Sequence, residues 1–358
     1  CSFTMLLALL LATCQAEVHG GVRTDVRVRL EQLHQLLASQ QTNFDAALDR
    51  ESHIPSGQQR LTPQLRLLRS RLHDVLHERD EYGLSRLHRA VIERDAQRVL
   101  GLLDAGVDPD ATAGAICVRP LHLAVLAGDF GSDCLEALLE GGAQVDAADE
   151  HGVTALHASA ALNLPHVATL LLEAGAAPNV QGAHGVVPLQ LAGWMNSAEA
   201  AQVLLASGAS AECCDEKRRT PSHAAAARDA AEALEVLLDS GADLERRDRR
   251  GWTPLFYATR CCKCADPACG RTRALSLLLA RGATPHSSDR AGWTPLHVAA
   301  ARNRVAAVRL LLRAGADPST QGTRGCSSLM LAAHCGGAAT VGELLEAGAA
   351  VHARGVRG

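Results

Sequence analysis

The chain has 358 residues, 47% of them hydrophobic, so it can build a large core or a long repeated one. Only four Phe, two Tyr and three Trp contribute, which argues against one wide aromatic-filled core and for thin layers of Leu- and Ala-rich helices. A net charge of -4, from 35 basic and 39 acidic residues, supplies no general attraction to nucleic acid or to an acidic membrane surface.

Residues 1–20 contain an apolar stretch, Phe3 to Ala16, that is too short to span a bilayer. Read from Met5 it resembles a brief secretory signal ending near Ala16, although a basic leading segment is missing. The other readings are a fragment end or a buried helix. No other window is apolar enough for a membrane span. The 12 cysteines are unevenly spaced, as reduced thiols are, rather than arranged as a disulfide framework. The expected location is therefore the cytoplasm or nucleus, with secretion the reading if Met5 is the start.

Residues 24–79 read as a helical N-terminal cap. Val28, Leu30, Leu33, Leu36 and Leu37 recur at helical spacing, as do Leu65, Leu68, Leu72 and Leu76. SHIPSG at 52–57 breaks the two runs. The pattern lasts under three heptads, so helices that cover the neighbouring segment of the chain are preferred to a coiled coil.

From residue 81 the chain repeats. His88, His122, His157, Gln190, His223, Phe256, His297 and Met330 hold one position, at intervals of 34, 35, 33, 33, 33, 41 and 33. Each unit opens on a version of GWTPLHVAA (292–300) and closes on a version of LLRAGADPS (311–319). The expected units are 81–115, 116–148, 149–181, 182–214, 215–247, 248–288, 289–321 and 322–354, with 355–358 as a tail. Within 289–321, Thr294 caps a helix and Pro295 occupies its first turn, where a missing N–H is harmless. Leu296, Ala299 and Ala300 form a slim apolar face. Asn303 and Arg304 fall in the turn, Val308, Leu311 and Leu312 line the second helix, and Gly315 ends it. One unit cannot bury its own apolar face, so neighbours must supply the stability.

Period 33 with TPLHxAA, a Leu-Leu pair and Gly-Ala is similar to the ankyrin repeat family, over about residues 81–354. The resemblance implies an all-α repeat solenoid of stacked helix pairs with projecting β-hairpin-like fingers. It also implies that His88, His122, His157, His223 and His297 are structural, hydrogen-bonding between adjacent repeats rather than holding metal. A binding surface on the concave side, made by fingers and first helices, follows from the same resemblance.

The sixth unit is enlarged between its helices and carries Cys261, Cys262, Cys264 and Cys269. Four thiols match the ligand number of zinc, but adjacent cysteines and a C-x-C spacing are tight for one tetrahedron. A loose loop with exposed thiols is the preferred reading; zinc and redox sensing are the alternatives, and no cofactor is expected. Inserts at this point resemble those of ankyrin-type substrate adaptors of cullin ubiquitin ligases. The C-terminal box by which such adaptors bind elongin does not follow the last repeat in this sequence.

Fingers 215–220, 245–252 and 288–293 are rich in arginine. Arg218, Arg219, Arg249, Arg250 and Arg290, with Trp252 and Trp293, are the candidate partner-binding residues, because Arg and Trp contribute large contact areas. The partner expected is another protein with an acidic surface. Nucleic acid is not expected, since aromatics are not interleaved along a basic face. Phosphate loops, nucleophile elbows and metalloprotease motifs are lacking, so neither an enzyme nor a small-molecule substrate is expected. The chain reads as a protein-binding scaffold, with the substrate-recognition subunit of a cullin-type ligase as the alternative.

Overall fold

A computed structural model describes residues 84–113, 118–260, 271–322, 325–335 and 337–352. The apolar segment 1–20, the expected helical cap 24–79 and the tail 355–358 lie outside the described residues. The chain forms two compact units, Cys1–Ala155 and Leu156–Gly358.

In the first unit, α1 (Arg86–Ile92) and α2 (Ala96–Asp104) form one helix pair, and α3 (Pro120–Leu126) and α4 (Ser132–Glu140) the next. First helix packs on first helix and second on second, α1 on α3 and α2 on α4. Leu121, Leu135 and Leu138 are fully buried between them.

The second unit continues the pattern. Helix α5 (Ala155–Ala161) begins at its boundary and is followed by α6 (Pro165–Glu173). The next pairs are α7 (Pro188–Met195) with α8 (Ala198–Ala206), and α9 (Pro221–Arg228) with α10 (Ala231–Asp239). Then come α11 (Pro254–Arg260) with α12 (Arg273–Ala280), and α13 (Pro295–Ala301) with α14 (Val305–Arg313). The last pair is α15 (Ser328–His334) with α16 (Ala338–Glu346). Proline opens most first helices, where its fixed φ suits the first turn. Small residues set the spacing: a Cβ on Gly193 of α7 would lie 2.9 Å from the carbonyl oxygen of Pro221 in α9. Ala225, Ala226, Ala299 and Ala300 are fully buried on first helices, while Leu204, Leu234, Leu237 and Leu278 fill the second-helix layer. Leu312, expected on the inner side, is only half-buried; Ala307, Val308 and Leu311 form the buried side of α14.

The turn inside three of the pairs carries a cap that sequence reading missed. Asn163, Asn196 and Asp229 adopt left-handed backbone, which short polar side chains tolerate. Their Oδ1 atoms accept from the backbone N–H of Ala200, Ala233 and Ala274, each in the second helix of the following pair. One side chain thus fills a free donor at the start of its neighbour's helix.

The expected β-hairpin-like fingers are not formed: the described residues contain no strand, only isolated bridges between Ala113 and Val118 and between Gln321 and Ser327. Each finger is instead a loop closed on itself. In the loop from Asp248, the backbone N–H of Asp248 donates to the carbonyl of Trp252 at 2.9 Å, and that of Gly251 to the carbonyl of Asp248 at 3.0 Å. The N–H groups of Arg250 and Trp252 both donate to Oδ1 of Asp248 at 2.8 Å. Asp149, Asp215 and Asp289 do the same in their own fingers. Two N–H groups of each such loop are thus spent on a carboxylate rather than on a hairpin ladder. Consecutive tips are joined by single bonds: Glu216 N–H to His184 O at 3.0 Å, Arg249 N–H to Lys217 O at 3.0 Å, and Arg290 N–H to Arg250 O at 3.2 Å.

Candidate functional site

Imidazoles tie each first helix to the next finger. The Nε2 atoms of His88 and His122 lie 3.1 and 2.9 Å from the carbonyls of Val118 and Val153. Those of His157, His223 and His297 lie 3.0, 3.0 and 3.2 Å from Val186 O, Trp252 O and Cys326 O. Gln190 substitutes an amide for the ring, its Nε2 donating to Arg219 O. In His223 and His297 the Nδ1 atom accepts the backbone N–H of Thr220 and Thr294. A backbone N–H can only donate, so both rings carry their proton on Nε2 and are neutral. Burial holds the imidazoles of His122, His223 and His297 below the ordinary 6.5. Each ring serves a carbonyl of its own neighbour, an arrangement that builds no common metal centre. Among the described residues no group of three or more His, Cys, Asp or Glu could hold a metal ion. Cys261, Cys262, Cys264 and Cys269 lie outside the described residues.

Phe256 breaks this row. Its ring stacks on Trp252, centroids 5.5 Å apart, and it has no donor for the next finger. The buried Oγ1 of Thr253, whose counterparts Thr220 and Thr294 bond an imidazole, has no partner. The enlarged unit therefore replaces a polar link by aromatic packing.

Trp252 is the centre of that packing. Its Nε1–H donates to Oδ2 of Asp289 in the next finger at 2.9 Å, and Tyr257 meets it edge-on at 5.6 Å. Tyr257 donates its hydroxyl to Oδ2 of Asp248 at 2.8 Å, and burial, then this bond, raise its pKa. The guanidinium groups of Arg250 and Arg260 lie 5.9 and 5.7 Å from the Trp252 ring centroid. Trp293 is half-buried, edge-on to His297 at 5.2 Å, and so close to Gly322 that a Cβ there would meet the ring at 3.0 Å.

The arginines named from sequence divide into two kinds. Arg219 is ion-paired with the buried Asp215, and its carbonyl accepts from Gln190. Arg218, Arg249, Arg250 and Arg290 are exposed, as are Lys217 and Arg260, and among the described residues none of these six forms an ion pair. Arg218, Arg247 and Arg290 line a shallow cleft of about 490 Å³ together with Asp248, Gly251 and Asp289. Arg247 belongs to the arginine-rich finger 245–252 read from the sequence; its Nη1 donates to Ser288 O at 2.6 Å and so crosses from one finger to the next. Trp194 also escaped notice, with Arg228 over its ring at 5.3 Å. Its signal was its position, which in the enlarged unit is held by Arg260.

Stacked helix pairs, fingers closed by carboxylates and a row of buried imidazoles together define a tandem helical-repeat protein. The match to a known family is direct: the model for ankyrin repeats, three copies to the model, fits residues 87–182, 189–269 and 262–354. The chain belongs to the ankyrin-repeat family. It is accordingly built on a protein–protein interaction module. Among solved structures it is similar to the human ASB11 ankyrin repeat domain, at 25% identity and a TM-score of 0.54, covering 75% of this chain and 99% of that one. No curated protein sequence matches. Among the described residues no helix is long and apolar enough to cross a membrane.

Proposed function

We propose that this protein recognises substrates for a cullin-type ubiquitin ligase, holding them against its fingers and first helices, in the cytoplasm or nucleus. The observation that carries this reading is the likeness to the ASB11 ankyrin repeat domain along 99% of that domain's length. The interval of 41 residues from Phe256 to His297, at the point where ankyrin-type ligase adaptors resemble this sequence, supports it independently. The exposed, unpaired arginines of the fingers favour a substrate with an acidic surface.

The test is affinity purification of the protein encoded by the complete gene from cells that express it. Elongin and cullin subunits should co-purify, and a captured protein should be ubiquitylated in reconstituted reactions only when this chain is present. Recovery of protein partners with neither elongin nor cullin would leave a plain scaffold, the second reading, which family membership alone supports.

A further inference from the structure

Six fingers can be compared position by position. The fourth residue of each loop has positive φ: Gly152, Gly185, Arg218, Gly251, Gly292 and Gly325. Glycine meets that demand without strain, and five of the six are glycine. Arg218, at φ 60, is the exception. A long side chain in left-handed backbone is disfavoured and persists where the surroundings enforce it, which is characteristic of residues kept for function. Arg218 has an exposed side chain without an ion pair, and it lines the cleft with Arg247 and Arg290. The cleft's two carboxylates are already engaged. Asp248 accepts from two backbone N–H groups and Tyr257, and Asp289 from two backbone N–H groups and the Trp252 indole. Three arginines therefore line a cleft whose acids are committed elsewhere, with Arg247 held in place by its bond to Ser288 O.

Cationic residues recur along the tips, Lys217 and Arg218 at the third and fourth places of one finger, Arg249 and Arg250 at the second and third of the next, and Arg290 at the second of the third. The tips are tied in register by the bonds of Arg249 to Lys217 and of Arg290 to Arg250. Neighbouring repeats stand about 10 Å apart, the usual distance between packed helices. An extended peptide advances about 3.3 Å per residue, so every third residue returns to an equivalent place on the next finger.

We propose that these three fingers bind an extended acidic segment of a partner protein, with carboxylates at every third position, one of them seated in the Arg218–Arg247–Arg290 cleft. Arg218 is the specificity residue: its guanidinium closes the side of the cleft that a glycine would leave open. The inference rests on reading the array as a protein-binding module, not on its attachment to a ligase. Loss of cullin association in cells would leave it standing, and failure of the peptide would leave that association standing.

Fluorescence anisotropy with the full chain tests it. The probe is a labelled peptide of about nine residues, the length that crosses three fingers, with Glu at every third position. It is compared with its Gln counterpart, with a peptide of the same composition whose Glu residues are adjacent, and with a single-stranded oligonucleotide of equal length. The spaced Glu peptide should bind best. Arg218→Gly should weaken it about tenfold, the loss expected for a charge-assisted bond, while the melting temperature stays equal or rises. Arg290→Gln should weaken it as well. Arg281→Gln, whose guanidinium pairs with Glu235 and Asp239, should not. Equal binding of the Gln or adjacent-Glu peptide, undiminished binding to Arg218→Gly, an equal loss in Arg281→Gln, or tighter binding of the oligonucleotide would each overturn the proposal.

Discussion

Thr253 and Thr294 occupy the same place in neighbouring units, yet only one hydroxyl is used. Thr294 Oγ1 lies 2.8 Å from His297 Nδ1, whereas Thr253 Oγ1 is buried without a partner because Phe256 stands where the imidazole would be. Thr253→Val, nearly isosteric, should therefore be neutral or stabilising, while Thr294→Val should cost about 1–2 kcal/mol, both read from urea unfolding. Asp248 is a sharper case: it is buried and accepts three hydrogen bonds. Asp248→Ala should cost at least about 3 kcal/mol by the same measurement and raise proteolysis at the finger. The recurring His was legible in the sequence because it keeps one spacing through most of the chain. The separate roles of the finger charges were not. Asp215, Asp248 and Asp289 build their loops and Arg219 neutralises one of them, while Arg218 and Arg290 are exposed; the sequence placed the three arginines together as partner-binding candidates and gave the carboxylates no role.

At the scale of elements, helix pairs were legible because paired Leu and a closing Gly mark every unit and Pro stands at the first turn of most. Two things were not. The finger was read as a hairpin because a family resemblance supplies a shape without its hydrogen bonds, and Asp149 and Asp289 each take two N–H groups that a ladder would use. The caps on three of the second helices were hidden because donor and acceptor, such as Asn196 and Ala233, 37 residues apart, belong to different units. Asn196 both accepts that N–H and occupies φ 62. Asn196→Ala loses the cap and keeps the strain, so about 2 kcal/mol should be lost. Asn196→Gly loses only the cap and should retain about half of that stability. Thermal unfolding of the two variants side by side checks the order.

In the molecule as a whole, each thin layer depends on its neighbours. Leu234 is fully buried in α10, and Leu234→Ala should destabilise by about 2–5 kcal/mol in urea. The neutral imidazoles add a pH dependence. Their folded pKa lies below the ordinary 6.5, so the unfolded chain binds protons first as the pH falls. The stability they contribute is complete above about pH 6.5 and declines below it. Melting temperatures at pH 7.5 and 5.5 should differ with that sign, and the difference should shrink in His223→Gln, the amide already present at Gln190. The links between layers also bear on how such a gene can change. His223 serves Trp252, Asn196 serves Ala233, and Trp252 serves Asp289, so donor and acceptor always lie in successive units. A crossover that exchanged one whole unit for a foreign one would still offer His223 a backbone carbonyl and Asn196 a backbone N–H, whereas the Trp252–Asp289 pair needs both side chains and would be lost. Recombination among relatives should therefore tolerate new neighbours at most junctions and keep the units of Trp252 and Asp289 together.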